Sequence, residues 1–207
     1  MIEDQLLTSD AIVARLHTSE IGWKIVVFRE TSSTNDRIRQ AGVGGEPQGL
    51  VIFAESQTAG RGTHGRTWIS APGSGLWFSV LLRTQLLPVK WPLLVQMAAV
   101  SAAEVLQPFL SRSVQIKRPN DLVVEGAKLA GFLLETSNRW DFQVLGIGIN
   151  VRSSPPIPEY PTASVDQYSA GPVVRAELAA AILNRFEEWY LHSTESELAK
   201  AYNHWAL

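Results

Sequence analysis

The sequence contains no cysteine, almost no net charge and no uninterrupted apolar run of membrane-spanning length. Without cysteine the protein cannot form disulfides, use a thiolate nucleophile, or bind zinc or an iron–sulfur cluster through sulfur. A net charge of −2 argues against a general nucleic-acid binder, which normally carries a basic surplus. The first four residues include two acids and lack the apolar core of a signal peptide. We therefore expect a cytoplasmic protein that binds neither nucleic acid nor membrane.

Familiar metal and nucleophile patterns are also missing. The four histidines have no metal-ligand spacing, so a surface or packing role is expected for them. Ser74 lacks the G-x-S-x-G frame of a nucleophile elbow. The chemistry must therefore be sought in groups that bind and position a ligand.

The chain is long enough to bury a full core. With 207 residues, 45% of them hydrophobic, one domain over 1–207 is the simplest prediction. Periodicity predicts helices at 11–16, 33–41, 91–109, 174–191 and 195–205, and strands at 24–28, 50–55, 76–82, 113–117, 122–124, 128–135 and 142–150. Residues 152–172 hold five prolines and predict a loop or linker.

The most informative stretch is residues 57–68, which read QTAGRGTHGRTW. Glycines at G-x-G-x-x-G spacing let backbone N–H groups converge on an anion, and the two arginines offer forked donors for phosphate or carboxylate. A dinucleotide fold would require a following helix and a later acidic residue, whereas this loop is followed by a second strand. The stretch therefore predicts an anion loop between two strands; an ordinary glycine-rich hairpin is the alternative.

Polar groups cluster at three further places. Ser33 and Asp36 match a helix capping box, although the Ser33 hydroxyl could also hold a ligand. The hairpin 117–128 brings together two cations, an amide and a carboxylate, a set suited to phosphate oxygens and Mg²⁺: Lys117, Asn120, Asp121 and Lys128. An ordinary hairpin with a Pro-Asn-Asp turn is the alternative. Two glycines in the strand that ends at Asn150 indicate close approach of a backbone or ligand.

In their order along the chain, these motifs resemble the biotin protein ligase family. The run from Gly60 to Trp68 is similar to its Gly-Arg-Gly-x-x-Gly-Arg-x-Trp motif, and residues 117–121 match Lys-Trp-Pro-Asn-Asp at four of five positions. The resemblance implies an α+β fold: a mixed, mostly antiparallel sheet with helices mainly on one face, related to class II synthetase cores. It also implies that biotin and MgATP form biotinyl-5′-adenylate, which then modifies a lysine of a biotin carboxyl carrier domain.

The resemblance also assigns roles to individual residues. Lys128 and Arg66 would be catalytic, facing the carboxylate and the α-phosphate, and Asp121 would hold Mg²⁺. Biotin would be bound by Ser33, Thr34, Asn35, Gln57, Arg61, Gly62, Thr63 and Lys128. ATP would be bound by Gly60, Arg66, Asn120, Asp121, Lys128 and Asn150.

The sequence departs from the family pattern at several points. Thr63 and Arg118 replace an arginine and a tryptophan, so a loosely held adenylate is expected. The family's N-terminal DNA-binding domain and C-terminal small β-barrel domain have no counterpart within these 207 residues, so a catalytic domain alone is expected. The resemblance leaves a homodimer open.

Two other functions remain as alternatives. A lipoate or octanoate enzyme would share the fold, but the Arg-Arg-x-Ser-Gly-Gly-Gly type of loop that those enzymes usually carry is absent from the sequence. A non-catalytic biotin- or adenylate-binding module would fit Thr63, whereas Lys128, Arg66 and Asp121 favour an enzyme.

Overall fold

A single mixed sheet of seven strands organises the protein in the computed structural model, which describes residues 6–137 and 139–207. The sheet order is β1-β2-β3-β7-β6-β5-β4; β1 and β2 are parallel and every other pair is antiparallel. The strands are β1 (Lys24–Thr31), β2 (Leu50–Gln57), β3 (Gly75–Leu82), β4 (Val114–Lys117), β5 (Asp121–Val124), β6 (Ala127–Glu135) and β7 (Gln143–Asn150). The predicted mixed, mostly antiparallel sheet is confirmed.

Six α-helices complete the fold among the described residues. They are α1 (Ser9–Val13), α2 (Thr34–Val43), α3 (Pro92–Leu106), α4 (Val165–Tyr168), α5 (Arg175–His192) and α6 (Glu195–Trp205). Helices α1, α3, α5 and α6 contribute to the main core on one face of the sheet. Helix α2 packs on the opposite face, against β2, β3 and β7, where Ile38 joins a smaller apolar cluster.

Strand periodicity decides which side chains face α2. In β3, Phe78 and Val80 join the main core, whereas Ser79 points to α2 and hydrogen-bonds its first turn. Gly146 of β7 pairs with Ser79, and Gly148 pairs with Trp77, so the two glycines lie on the α2 side as well. That side is therefore left open beside α2.

One helical stretch, Pro88–Phe109, is long and apolar enough by length and composition to cross a membrane, although no uninterrupted apolar run was expected. Half of its most apolar window is buried inside the protein, where α3 packs against α5, α6 and the β4–β6 strands. Burial against these neighbours explains its apolar composition.

The predicted elements are confirmed with shifted ends. Strands β1 and β2 each run beyond the predicted end, because the parallel pairing of β1 and β2 continues to Thr31 and Gln57. The proline-rich segment contains a short helix, α4, which was not predicted because the prolines around it indicated a loop.

Candidate functional site

Residues 57–70 form a closed hairpin between β2 and β3. Bridges join Gln57 to Ser70 and Arg61 to Thr67, and Trp68 N–H donates to the Gly60 carbonyl at 2.9 Å. Gly62 N–H donates to the Arg66 carbonyl at 2.7 Å, so both of these N–H groups are used inside the loop. The loop backbone is therefore a hairpin, and the positive charge that the loop brings to the ligand site comes from the Arg66 side chain.

The Trp68 ring lies over a floor of glycines on the α2 side of the sheet. A Cβ atom added to Gly148 would lie 2.6 Å from the indole, and one added to Gly131 would lie 3.0 Å from it. These two residues are register partners in β7 and β6. The group that approaches closely is therefore a side chain of the loop, not the backbone or ligand that was predicted, and any larger residue in this floor would displace it.

A pocket opens beside α2, with residues 33–35 at one end and Lys128 at the other, and polar groups from three elements meet at the first end. Gln57 Oε1 accepts from the Thr34 backbone N–H at 2.8 Å, and Gln57 Nε2 donates to Ser70 Oγ at 2.8 Å. Thr34 Oγ1 lies 2.7 Å from Ser79 Oγ, which donates to Asn35 Oδ1 at 2.5 Å. The Asn35 Nδ2 group is buried without a hydrogen-bond partner among the described residues. This end therefore presents a buried donor beside fixed polar groups.

The predicted capping box is wrong in its hydrogen bonds. Ser33 occupies the N-cap position of α2, but its side chain makes no capping bond and lines the pocket. Asp36 instead accepts two hydrogen bonds from Arg61, at 2.9 and 3.0 Å, and one from Arg39 at 2.7 Å. The charged guanidinium is a stronger partner than a backbone N–H.

Arg61 is clamped between two carboxylates. Besides Asp36, it donates to Glu135 of β6, with Nε to Oε1 at 3.1 Å. The hydrogen bond from Arg61 holds the pKa of Asp36 below its ordinary value of 3.8, and Asp36 in turn raises the pKa of Arg61. These ion pairs fix the Arg61–Gly62 backbone at the pocket. The Arg61 guanidinium is itself engaged by the two carboxylates.

Lys128 lies at the other end of the pocket. Its Nζ is 2.8 Å from Asp121 Oδ1, 5.3 Å from the Trp68 ring centroid and 5.6 Å from that of Tyr160. Only 15% of the lysine side chain is exposed, so its charge is weakly screened. Arg66 lines the same pocket, held by bonds to Thr63: Nε to the backbone carbonyl at 3.2 Å and Nη2 to Oγ1 at 2.9 Å.

A smaller cleft adjoins the pocket beyond Lys128. It shares Thr67, Trp68, Lys128 and Tyr160 with the pocket and is otherwise lined by Ile69, Asn150, Pro155, Ile157 and Thr162. Asn150 is 2% exposed; its Nδ2 donates to the Ala163 carbonyl at 3.0 Å, and its Oδ1 has no partner in the described part of the chain. The cleft thus offers apolar walls and one buried acceptor.

The predicted site residues largely converge. Eleven of the thirteen line the main pocket: Ser33, Thr34, Asn35, Gln57, Arg61, Gly62, Thr63, Arg66, Asn120, Asp121 and Lys128. Asn150 lines the adjoining cleft, and Gly60 lines neither because it packs on the Trp68 carbonyl. Asn120 lines the pocket while its amide braces the hairpin by donating to the Phe132 carbonyl at 2.8 Å. Arg118 turns away to α6, stacking 5.4 Å from the Tyr202 ring centroid and donating to Asn203.

Sequence reasoning missed Ser79, Glu135 and Tyr160. No local signal identifies Tyr160, which lies in the proline-rich segment outside every motif. Its segment is fastened to β6 by a bridge between Lys128 and Thr162 and by the Lys128 N–H bond to the Pro161 carbonyl at 2.8 Å. Burial raises the pKa of the Tyr160 hydroxyl.

Comparisons with known proteins place this site in a family. A sequence model of the "Biotin/lipoate A/B protein ligase family" matches residues 27–151. The chain is 31% identical over 193 residues to the "Bifunctional ligase/repressor BirA" of Bacillus subtilis, covering 89% of this chain and 59% of that protein. It is 33% identical over 172 residues to the "Biotin--[acetyl-CoA-carboxylase] ligase" of Mycobacterium tuberculosis, covering 80% of this chain and 64% of that protein. The chain thus spans about three fifths of the length of these relatives.

Solved structures agree. The biotin protein ligase from Aquifex aeolicus in complex with biotin and ATP aligns with a TM-score of 0.73 and 26% identity, over 86% of this chain and 77% of that one. The Leishmania major enzyme in complex with biotinyl-5-AMP aligns with a TM-score of 0.74 over 89% and 82%; at 24% identity this likeness concerns the fold. The resemblance predicted from the motifs is confirmed: the chain belongs to the biotin/lipoate A/B protein ligase family.

Proposed function

We propose that the protein activates biotin with ATP to biotinyl-5′-adenylate and transfers the biotinyl group to a lysine of a biotin carboxyl carrier domain. The observation that carries this proposal is one pocket with a neutral polar end at Asn35 and a cationic end at Lys128. A substrate that fits it has a neutral hydrogen-bonding head and a carboxylate tail. Biotin, with a cyclic urea and a valerate chain, has both.

The polar end suits a urea. The buried Nδ2 of Asn35 needs an acceptor, which a urea carbonyl would supply, and the Ser33 hydroxyl and the Thr34–Gln57 pair lie beside it. Buried polar groups that lack a partner select strongly for the ligand that satisfies them. Apolar side chains, including those of Trp68 and Ile147, also line the pocket, which suits a thioether ring and a methylene chain.

The cationic end suits the reaction centre. Joining a carboxylate to an α-phosphate brings two anions together, so fixed positive charge must be in place beforehand. Lys128 is buried enough for its charge to act strongly, and Arg66 lines the same pocket from the loop. Catalysis would then consist of positioning and electrostatics, with no nucleophilic side chain.

The adjoining cleft suits the nucleotide base. Its apolar walls can cover a flat ring, the Tyr160 ring lies beside it, and the buried Asn150 Oδ1 can accept from an exocyclic amine. Lys128 lies between pocket and cleft, where the α-phosphate would join the two ligands.

The bonds follow from this placement. A biotin carboxylate oxygen attacks the α-phosphorus of ATP, a P–O bond breaks, and pyrophosphate leaves with the electron pair. The carrier lysine, as a neutral amine, then attacks the acyl carbon; the acyl–phosphate bond breaks, AMP leaves, and the amine gives up a proton. Lys128 and Arg66 stabilise the negative charge in the first step, and Lys128 stabilises the departing AMP in the second.

Mg²⁺ fits this site as an ion carried by ATP. Among the described residues no cluster of three acidic, histidine or cysteine side chains could hold a metal, and Asp121 is the one carboxylate lining the pocket. One carboxylate plus phosphate oxygens and water is the usual Mg²⁺ environment at nucleotide sites. Asp121 would hold the ion once its ion pair with Lys128 is broken. The ion would neutralise negative charge on the ATP phosphates.

Thermal unfolding with biotin, lipoate or octanoate, each with and without MgATP, tests the proposal. A ligand at a hundredfold excess over its Kd stabilises the fold by about 2.7 kcal/mol, which is readily measured. We expect biotin to raise the Tm and MgATP to raise it further. Stabilisation by lipoate or octanoate in place of biotin would transfer the assignment to that class of acid.

A further inference from the structure

We infer that Ser79 is a positioning residue that sets head-group selectivity, by holding the Asn35 amide so that its Nδ2 donor faces the ligand. Ser79 is 0% exposed and is absent from the pocket lining, so it acts only through its neighbours. This inference rests on the proposed function and names the feature of the substrate that the pocket reads: a hydrogen-bond acceptor on the head group.

Counting hydrogens fixes the direction of the relay. A serine hydroxyl has one hydrogen to donate. The Ser79 hydrogen goes to Asn35 Oδ1 at 2.5 Å, so Ser79 Oγ accepts the single Thr34 hydroxyl hydrogen at 2.7 Å. The longer contact of Thr34 Oγ1 with Gln57 Oε1, at 3.2 Å, is the competing use of that hydrogen, but Gln57 Oε1 already accepts from the Thr34 backbone N–H. With Oδ1 engaged by Ser79, the NH₂ half of the Asn35 amide points the other way. That half is the buried group without a partner among the described residues.

The backbone of β7 closes the other side of the amide. Gly146 is the register partner of Ser79, and a Cβ added to Gly146 would lie 2.4 Å from Asn35 Oδ1 and 3.1 Å from Nδ2. The Asn35 side chain therefore lies directly on the strand beside Ser79. The strand holds the amide in place, and the Ser79 hydroxyl decides which of its two halves is engaged and which is left for the ligand.

This arrangement discriminates between acids. A head group with an acceptor oxygen satisfies the Nδ2 donor, whereas an alkyl head leaves it buried and unpaired. Removing the Ser79 hydroxyl would let the amide turn either half toward the ligand, and Oδ1 would then repel a carbonyl. The loss should fall on ligands that carry the urea and spare those that do not.

The test compares Ser79→Ala with wild type for three acids, by calorimetry or competition binding: biotin, desthiobiotin, which keeps the urea but lacks the thioether ring, and octanoate, which lacks both. We expect biotin and desthiobiotin to bind roughly tenfold more weakly to the variant, the equivalent of about 1.4 kcal/mol. Octanoate and ATP affinities should change less than about twofold. Ser101→Ala is the matched control: Ser101 is also 0% exposed and donates to the Met97 carbonyl at 2.7 Å, but lies in α3. It should leave all four affinities unchanged.

A second variant keeps the inference testable if Ser79→Ala unfolds. Gly146→Ala pushes on the same amide from the other side and should weaken the two urea ligands selectively in the same way. Equal losses of affinity for octanoate and biotin would show a merely structural role for Ser79 and overturn the inference. An unchanged biotin affinity would also overturn it, while leaving the proposed function intact. Absence of any urea binding by wild type would overturn both.

Discussion

At the scale of single residues, the surroundings of Lys128 matter most for the proposed chemistry. Its ammonium group is paired with Asp121, flanked by two aromatic rings and only 15% exposed. Such a cation is in place before the substrates arrive, which is the condition for electrostatic catalysis. A surface lysine at a hairpin would have none of these contacts.

Lys128→Ala should lower the rate of adenylate formation by about 10²–10³, and weaken biotin binding much less, because the charge matters most in the transition state. Lys117 is exposed on the same hairpin and lies outside the pocket, so its predicted place beside Lys128 is wrong and Lys117→Ala serves as the control. Single-turnover adenylation and biotin affinity are measured for both. A near-normal rate in Lys128→Ala would refute the catalytic role of Lys128. Full recovery of the rate in the double variant Lys128→Ala/Asp121→Asn would also refute it, because the loss would then come from the unpaired Asp121 carboxylate.

Thr63 anchors Arg66 through its hydroxyl and its carbonyl, which its position in the loop alone did not reveal. Thr63→Arg adds a forked donor at the loop, and a hydrogen bond to a charged group contributes about 1.5–3 kcal/mol. Release of biotinyl-adenylate should therefore slow by roughly one to two orders of magnitude, with less labelling of bystander lysines. Thr63→Val, which removes the hydroxyl without adding charge, should not slow release. Equal off-rates in wild type and Thr63→Arg, measured by chase, would show that other residues retain the intermediate.

The residues that could be predicted are those within motifs. Short motifs whose residue types indicate their chemistry contain Gln57, Arg66 and Lys128. The structure brings these three residues to one pocket. Ser79 and Tyr160 could not be predicted, because their proximity depends on strand register and on a long loop. The Ser33–Asp36 pattern misled because the distant Arg61 takes the carboxylate.

At the scale of elements, Glu187 of α5 holds the segment that precedes β1. Its carboxylate accepts from the backbone N–H groups of Ser19, Glu20 and Ile21 at 2.6–2.8 Å. Burial opposes the charge, but these donors outweigh it and lower the pKa of Glu187 below its ordinary value of 4.5. The stabilisation is therefore fully present above that ordinary value and is lost as the pH falls through the lowered one.

Glu187→Ala should lower the free energy of unfolding by about 2–3 kcal/mol at pH 7, because it leaves the buried Ile21 N–H and two part-buried N–H groups without their acceptor. Its neighbour Glu188 has a side chain that is 59% exposed and paired with Arg185, so Glu188→Ala should cost about 0–1 kcal/mol. Urea unfolding at pH 7 and pH 3 measures both. A Glu187 effect equal to that of Glu188, or one that does not shrink at pH 3, would contradict this assignment.

Element types could be predicted well because long periodic stretches specify them. The apolar stripes of α3 and α5 and the apolar runs of β2 and β3 could each be recognised from neighbouring residues alone. Strand order, the position of α2 opposite the other helices, and α4 within the proline-rich segment depend on contacts between distant parts of the chain. Local patterns carry no record of those contacts.

At the scale of the whole molecule, the fold places a neutral polar pocket end, the half-buried Lys128 and an apolar cleft one after another. A lipoate or octanoate enzyme needs no donor at the polar end, and a simple binding module needs no cation beside the cleft. The combination is what favours adenylation of biotin.

Isotope exchange between pyrophosphate and ATP tests that central claim most directly, because it reports reversible adenylate formation without needing a carrier protein. With the whole chain, MgATP and labelled pyrophosphate, label should enter ATP when biotin is added and should fail to enter when lipoate or octanoate replaces it. Exchange supported by lipoate or octanoate but not by biotin, or no exchange with any acid despite tight biotin binding, would contradict the proposed function.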